Sequence, residues 1–269
     1  MLDFYMTFDP ISLEFSEPTS SPPLVNQYAQ VSLKSEDNKL LLVLLSEAQL
    51  SSEIPWSEVW QELKHSLQAR EQSWQPGTKV TLVAHDRLLD ARQLQTIVEI
   101  LNEAQLGIDR VCTSRRQTAI AAATAGYSVE QTTVEQSLSP SSDNQDQLLA
   151  EPLYLQNTVR SGIEIRHPGT VVVLGDLNPG GKIIAAGDIF IWGRLRGVAH
   201  AGALGNRQCR ILALKMEPTQ LRIADAVARS PKLSPKQLEP EVAYVTATGI
   251  RLAKAIDFAK NYSLSTLSS

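Results

Sequence analysis

Residues 169–195 read GTVVVLGDLNPGGKIIAAGDIFIWGRL, and glycine occupies every sixth position of this stretch from Gly169 to Gly193. A second six-residue series in the same register is apolar at eight successive steps: Val159, Ile165, Val171, Leu177, Ile183, Ile189, Leu195 and Ala201. A period of six fits neither an α-helix of about 3.6 residues per turn nor a hairpin meander. It is typical of a β-solenoid, in which short strands form flat sides joined by tight corners.

The two series predict how each coil of this solenoid is built. The apolar residue of each six points into the coil, and the glycine takes the corner, where a positive φ is cheap without a Cβ. Three sides of six residues make a coil of about 18, so the segment holds roughly two and a half coils. Ten of the chain's 14 glycines lie between Gly162 and Gly205, which limits the repeat to this part of the chain.

The segment GDLNPGGK, residues 175–182, ends like a phosphate-binding loop but lacks two of its essential residues. Counting back from Gly181-Lys182, the first glycine of such a loop falls on Asp176, and its hydroxyl position falls on Ile183. An acid would repel the phosphate, and an apolar side chain cannot bind magnesium. We therefore expect Asn178-Pro179-Gly180 to form a turn, with no nucleotide or other cofactor.

The N-terminal half has a different pattern, in which apolar strands alternate with amphipathic helices. Three segments are predicted strands: Lys39–Leu45, Lys79–Ala84 and Ile108–Thr113. Pro55 suits the first turn of one helix, and Asp90 and Ser114 are candidate N-caps of two more, the last ending at Gly126. The alternation predicts a small α/β layer domain.

The composition of the remaining segments predicts five regions. We expect a flexible tail at 1–30, the α/β domain at 31–127, a flexible linker at 128–152, the β-solenoid at 153–230 and a C-terminal extension at 231–269. Apolar and polar residues alternate over Gln208–Met216 as they do in a strand. The pattern at 220–228 does not distinguish a strand from a helix, and the pattern at Glu241–Lys254 resembles a hairpin that turns near Thr248-Gly249. These late strands are expected to cover the open end of the solenoid.

Charge and cysteine content exclude several classes of protein. Residues 1–152 carry 10 Lys+Arg against 21 Asp+Glu, whereas residues 153–269 carry 15 against 8. The basic half has no Lys/Arg run and little aromatic interleaving, so nucleic-acid binding is not expected. Two cysteines in different halves indicate a reducing cytoplasm. No signal peptide is expected, and the longest apolar run, Leu40–Leu45, is too short to span a bilayer, so any membrane contact is expected to be indirect.

The four histidines are weak candidates for a metal site or a catalytic base. His65, His85, His167 and His200 stand at no ligand spacing to one another or to a cysteine, so no zinc site is expected. His167 and His200 lie in the solenoid half, and hexad-repeat acyltransferases use a histidine base, which leaves an enzyme as one alternative. A purely structural, filament-forming solenoid is another. The arginines of this half favour a further interpretation, in which a basic surface docks an acidic partner.

The segment VLGDLNPGGKIIAAGDIFIWGRLRGVAHAGALGN (173–206), the preceding VRSG (159–162) and the downstream EPTQLRIA (217–224) resemble the C-terminal domain of the MinC family of septum site-determining proteins. The α/β region resembles the family's N-terminal domain in element order and length. The resemblance implies a triangular right-handed β-helix that forms a homodimer and binds the membrane-associated ATPase MinD. It also implies an N-terminal domain that blocks assembly of FtsZ, the tubulin-like division GTPase, and a protein that is not an enzyme.

The resemblance also implies where these partners bind. The family's Arg-Ser-Gly motif for the ATPase stands here as Arg160, Ser161 and Gly162, with Asp176 and Asn178 as neighbouring candidates. The family often has Gln next, where this chain has Ile163. A family glycine that is tied to FtsZ inhibition falls on Ser35, which is therefore the candidate in the N-terminal domain. Recruitment by the ATPase implies a cytoplasmic protein held peripherally at the inner face of the plasma membrane.

Overall fold

The computed structural model describes residues 30–36, 39–46, 55–69, 74–132, 149–229 and 239–258. The protein is mostly β-sheet with few helices. Apart from Gln30, the predicted tail at 1–30 lies outside the described residues, as does the central part of the predicted linker, 133–148. Among the residues that are described, no helix is long and apolar enough to cross a membrane.

The N-terminal half is the α/β unit that the alternating pattern predicts. Its elements are β1 (Val31–Glu36), β2 (Lys39–Leu44), α1 (Trp56–Gln68), β3 (Lys79–His85), α2 (Ala91–Glu103), β4 (Gly107–Thr113), α3 (Arg116–Thr124) and β5 (Ser128–Gln131). Strands β2 to β5 pair in parallel in chain order, with β1 antiparallel at the edge. Alternate residues of β2 and β3 are buried, which places the core of the α/β unit on one face of this sheet.

Local signals placed two of the three helix starts well. Asp90 forms a full capping box with Gln93, because its side chain accepts from the Gln93 N–H and the Gln93 side chain accepts from the Asp90 N–H. Pro55, predicted for the first turn of α1, is the N-cap, so this helix begins one residue later than predicted. The predicted cap at Ser114 is wrong: Arg115 is the N-cap of α3, and the Ser114 hydroxyl donates to the carbonyl of His85 instead.

The C-terminal half is built from short strands that stack in parallel. Its elements are β6 (Ala150–Leu155), β7 (Glu164–His167), β8 (Gly169–Val173), β9 (Lys182–Ala185), β10 (Ile189–Leu195), β11 (Val198–Ala201), β12 (Ile211–Met216), β13 (Gln220–Ile223), β14 (Ala226–Ala228), β15 (Glu241–Thr246) and β16 (Gly249–Lys254). Leu153 pairs with Val171, and Val171 with Ile189, each 18 positions further on. Single bridges from Val159 to Leu177 and from Leu177 to Leu195 repeat the same step.

The apolar series lies in the interior of this stack, as predicted. All eight of its members are at most 3% exposed. The stack extends beyond the segment that carries this series, for which two and a half coils are predicted. Within the described residues, four parallel strands pair on one side (β6, β8, β10, β12) and four on another (β7, β9, β11, β13). The last step from Ile189 to Ile211 spans 22 positions, because residues 202–210 form a longer turn.

The glycine series serves a different purpose from the one predicted. Among the series only Gly175 has a positive φ, so corner conformation does not explain the period. The reason is close approach between successive coils. A Cβ on Gly193 would collide with the backbone of Gly175, and one on Gly169 would collide with the carbonyl of Ala150. Gly180 does have the left-handed φ of +80° that the predicted Asn178-Pro179-Gly180 turn requires.

Both ends of the strand stack are covered. At the first coil, β5 pairs in parallel with β7, matching Val129 with Ile165, so one ten-stranded sheet runs from β1 to β14. The predicted linker at 128–152 therefore begins too early, because Ser128–Gln131 is a strand of the α/β unit. At the last coil, β14 pairs antiparallel with β13, and β15 pairs antiparallel with β12. The hairpin predicted for Glu241–Lys254 is present as β15 and β16.

Candidate functional site

The three residues of the candidate partner motif form an exposed turn at a corner of the first coil. Arg160, Ser161 and Gly162 are all exposed and lie between Val159, which points inward, and strand β7. The Ile163 N–H donates to the carbonyl of Arg160 at 3.2 Å, and the Gly162 N–H donates to the carbonyl of Gly180 in the next coil at 3.0 Å. These two bonds fix the turn, so its side chains are presented on a rigid support.

Gly180 lies next to this turn in the following coil and accepts its hydrogen bond. Its φ of +80° favours glycine, and a Cβ there would also collide with the hydroxyl oxygen of Ser161. Gly162 has a φ of +81° and is open to solvent. The motif therefore favours glycine in both coils because of the left-handed backbone: at 162 in the turn itself, and at 180 in the turn beneath it.

Asp176 and Asn178 lie one coil beyond the motif on the same side of the stack, but their side chains are engaged within the protein. The Arg196 guanidinium donates to Asn178 Oδ1 at 2.6 Å and contacts Asp176 Oδ2 at 3.4 Å. Asp176 Oδ1 also accepts from the backbone N–H of Arg194 at 2.8 Å. Both residues therefore position Arg196, whose side chain remains 36% exposed.

Arg196 belongs to the candidate surface although the sequence analysis did not single it out for this role. It lies 18 positions after Asn178, and Asn178 lies 18 after Arg160, so the three occupy equivalent places in successive coils. That spacing was the signal that could have identified it. The surface of this side thus presents two arginines, 160 and 196, with an amide and a carboxylate between them.

Ser35, the candidate in the α/β unit, is not brought near this corner. It is exposed on β1 and pairs with Leu40 of β2. In the order of the ten-stranded sheet, β2, β3, β4 and β5 separate β1 from the first coil. The structure therefore presents Ser35 and Arg160 as parts of two separate surfaces.

The two histidines of the enzyme alternative do not share a site. His167 is 4% exposed, with Nδ1 3.0 Å from Gln131 Oε1 and Nε2 3.0 Å from the carbonyl oxygen of Glu151. Burial lowers the pKa of His167 to about 4, so the ring is neutral at physiological pH. His200 faces outward, and its Nε2 lies 3.1 Å from the carbonyl oxygen of Ala224. Both rings are held by neighbouring groups of the protein.

The described residues contain no cluster of three or more His, Cys, Asp or Glu side chains that could hold a metal ion. Glu164 on β7 contacts three cationic side chains. Its carboxylate contacts Arg110 at 3.3 Å, Arg166 at 2.6 Å and Lys182 at 3.2 Å. Burial by itself would raise the pKa of Glu164, but hydrogen bonds from Arg166 and Lys182 outweigh that effect and lower it. This network joins β4 of the α/β unit to the first two coils.

A second candidate surface is apolar and lies on the outer side of β8, β10 and β12. Trp192 is 67% exposed there, and Val172, Phe190 and Leu212 line a shallow depression of about 480 Å³ beside it. Tyr154 and Leu214 are further exposed apolar residues of the same sheet, and exposed Leu174 directly follows β8. An apolar patch of this kind typically marks a protein–protein contact. We refer to these seven residues as the apolar face.

Comparisons with known proteins point to one family. A family model described as the C-terminal domain of septum formation inhibitor MinC matches residues 153–255. A probable septum site-determining protein MinC from Nostoc sp. (strain PCC 7120) is 56% identical over 88% of this chain, and the chain spans 65% of that relative's length. Proteins described in the same words from Gloeobacter violaceus and Thermosynechococcus vestitus are 51% and 50% identical. Those two matches cover 78% and 80% of this chain, and 75% and 81% of the relatives.

One solved structure, a MinC:MinD cell division protein complex from Aquifex aeolicus, is 35% identical to this chain. It covers 43% of this chain and 98% of the solved one, with a TM-score of 0.38.

Proposed function

Because this chain belongs to the MinC family of septum site-determining proteins, we propose that it inhibits cell division at wrong sites by blocking assembly of the FtsZ ring. A MinD-type ATPase would recruit it from the cytoplasm to the inner face of the plasma membrane, which limits inhibition to the membrane regions where that ATPase is bound. The protein would act by docking, with no catalytic step and no cofactor. The observation that carries this proposal is the exposed, rigidly supported Arg160–Gly162 turn in a chain of this family.

The ATPase would dock on the side of the stack that carries Arg160. An exposed guanidinium on a fixed turn gives forked, directional contacts to a carboxylate or a backbone carbonyl, which suits specific protein recognition. Ser161 adds a hydroxyl that can donate or accept. Asp176 and Asn178 contribute by holding Arg196 in place, so that two arginines face the partner.

The apolar face would form the homodimer. It lies on the six-stranded sheet, whereas the Arg160 turn leads into β7 of the ten-stranded sheet. It carries an exposed tryptophan, a residue type enriched in binding hot spots. An isologous contact of this face with its copy would leave both Arg160 turns free. A dimer bound to the membrane partner then presents two inhibitory α/β units close together, which raises their local concentration at the membrane.

The strand stack would be the triangular right-handed β-helix of the family, in the region 153–230. Its three sides correspond to the β6-to-β12 strands, the β7-to-β13 strands and the single bridges through Leu177. The α/β unit would contact FtsZ, with Ser35 on the edge strand as the candidate contact residue. Strand β5 and the extension after 230 would close the two ends of the helix, which directs assembly to the side faces.

The substitution Arg160→Ala tests the proposal directly. In co-sedimentation with phospholipid vesicles, the full-length protein should pellet only with the MinD-type ATPase of the same organism and ATP, and the variant should lose this binding. The variant should remain a dimer in sedimentation velocity, because Arg160 is not on the apolar face. Arg207→Ala, at an exposed arginine in the turn after β11, is the matched control and should bind normally. Unchanged binding of Arg160→Ala would show that the motif does not have this role.

Inhibition of FtsZ needs its own assay. Pelleting of FtsZ polymers formed with GTP should decrease when the full-length protein is added, with or without the ATPase. The fragment to compare must end at Thr132 or later rather than at residue 127, because Ser128–Gln131 forms β5 of the α/β unit. Normal FtsZ polymer yield at equimolar protein would contradict the proposed function.

A further inference from the structure

Four basic side chains lie on the outer side of strands β7, β9, β11 and β13: Arg166, Lys182, His200 and Arg222. Their neighbours in each strand are buried inside the stack, and side chains alternate along a strand, so these four point outward. The backbone pairing of the strands places Arg166, His200 and Arg222 in one row across the sheet. At about 4.8 Å per strand, this row is about 14 Å long. We refer to the four residues as the basic face.

The carboxylates beside the basic face leave part of its charge unpaired. Glu164 contacts Arg166 at 2.6 Å and Lys182 at 3.2 Å, and Asp225 is paired with another arginine at 3.1 Å. Among the residues that the structure describes, none forms a hydrogen bond or an ion pair with the guanidinium of Arg222. Its Nε is enclosed by the protein, so the two terminal nitrogens are the ones that an anion can reach.

His200 lies among these cations with one ring nitrogen available. Its Nε2 lies 3.1 Å from the carbonyl oxygen of Ala224, so in the neutral ring Nε2–H donates there and Nδ1 carries no proton. Burial lowers the pKa of this imidazole, the bond to Ala224 opposes that effect, and the charges of Arg222, Lys182 and Arg166 lower the pKa further. A carboxylate that arrives here counters those charges and accepts from Nδ1–H, which favours the protonated ring.

The basic face begins where the Arg160 turn ends. The Lys182 N–H donates at 2.9 Å to the carbonyl of the residue that follows the turn. A Cβ on Gly181, the residue before Lys182, would lie 2.9 Å from the carbonyl oxygen of Arg160. A partner bound to the turn therefore lies next to Lys182, and further across the same sheet it meets His200 and Arg222.

We propose that the docking site for the ATPase extends from the Arg160 turn over the basic face, where the ATPase presents carboxylates to Arg222 and His200. The matching element is an acidic helix or loop of the ATPase that lies across the strands. A guanidinium without an ion pair gains a charge-assisted hydrogen bond from such a carboxylate. This inference rests on the proposed function, because it takes the ATPase as the partner.

Docking on the basic face has a consequence that docking on the turn alone lacks, namely that it takes up a proton at His200. Because the partner's carboxylate favours the protonated ring, the pKa of His200 is higher in the complex than in the free protein. Protonation and docking then strengthen each other by the same factor. Affinity for the ATPase therefore rises as the pH falls, and this gain is lost as the pH rises through the pKa in the complex.

Substitutions at Arg222 test the extended site without touching the turn. In co-sedimentation with vesicles that carry the ATP-loaded ATPase, Arg222→Ala should weaken binding roughly tenfold, because a hydrogen bond to a charged group is lost. Arg222→Lys keeps the positive charge and should retain most of the affinity. Arg251→Ala is the matched control, since Arg251 is exposed on β16 of the six-stranded sheet, and it should bind normally.

The proton uptake has its own test, which a purely structural role of His200 would not pass. The ratio of the affinities at pH 6 and pH 8 should be at least about threefold larger for the wild-type protein than for His200→Gln. Gln can still donate to the carbonyl of Ala224, but it cannot take up a proton. Comparing the two proteins with the same ATPase removes any pH dependence that belongs to the ATPase itself.

Each pattern of results decides the inference. Loss in Arg222→Ala, recovery in Arg222→Lys, normal binding of Arg251→Ala and a pH effect that requires His200 together support it. Normal binding of Arg222→Ala with loss in Arg160→Ala overturns it and leaves the proposed docking on the turn intact. Normal binding of Arg160→Ala overturns it and also removes the proposed role of the motif.

Three further outcomes count against the basic face as a site for the ATPase. Equal losses in Arg222→Ala and Arg251→Ala overturn the inference, because the effect is then not specific to this face. The same pH ratio in the wild-type protein and in His200→Gln overturns it, because His200 then receives no carboxylate. Vesicles of phosphatidylcholine and phosphatidylglycerol in equal parts, without the ATPase, test a lipid surface. Binding to them that is lost in Arg222→Ala overturns the assignment to the ATPase.

Discussion

Replacing Trp192 by Ala should separate the proposed homodimer into monomers. The side chain is 67% exposed in the single chain, and a tryptophan can bury about 250 Å² when it is fully covered. Covering the exposed part removes roughly 170 Å² from water, which at about 25 cal/mol per Å² stabilises the contact by about 4 kcal/mol. An isologous interface contains this residue twice, so the upper limit is about 8 kcal/mol.

Half of that limit would already change the dissociation constant of the dimer by a measurable factor. A loss of about 4 kcal/mol weakens a dimer roughly 1,000-fold, which moves a nanomolar dissociation constant into the micromolar range. Sedimentation velocity over a range of protein concentrations measures this shift directly. Leu204→Ala is the control, since Leu204 is 60% exposed but lies in the turn after β11, outside the apolar face. A dimer of unchanged affinity in the Trp192→Ala protein would refute the assignment of the apolar face to self-association.

Two further predictions concern stability, measured as the free energy of unfolding in denaturant. Gly193→Ala should lower the free energy of unfolding by more than about 2 kcal/mol, because the new Cβ collides with the backbone of Gly175. Gly107→Ala is the control and should change the free energy of unfolding little, because a Cβ there meets only the Lys79 ammonium at 3.8 Å. Since burial lowers the folded pKa of His167 to about 4, the unfolded chain binds a proton first, and stability should fall from pH 6.5 to 4. His167→Gln should reduce that fall by up to roughly 3 kcal/mol; equal pH profiles would contradict the buried neutral ring.

Much of the architecture was predictable because it follows from patterns among residues that are close together in the sequence. The six-residue apolar series requires only that side chains alternate in and out at a fixed period, and every member is buried in the structure. The capping box at Asp90 and the hairpin at Thr248-Gly249 involve residues only a few positions apart. The cap predicted at Ser114 failed because its hydroxyl bonds to His85, which is 29 positions away.

The candidate site was predictable only in part. The motif Arg160-Ser161-Gly162 was visible from resemblance, and Arg196 could have been found from its 18-residue step to Asn178. A cavity beside Arg160 could not be predicted, because Ala125 and Asn157 line it together only where the α/β unit meets the first coil. The local sequence around either residue contains no signal for the contact between the α/β unit and the first coil.

The sequence by itself therefore determined that the chain contains an α/β unit followed by a six-residue repeat, since both follow from local periodicity and burial of apolar side chains. Tertiary structure alone decided why the glycines recur, namely that neighbouring coils approach too closely for a Cβ at Gly169 and Gly193. It also decided that His167 is buried against Gln131 and that the two units share one sheet. These features depend on contacts between segments that are distant in the chain, and a pattern of single residues carries no record of them.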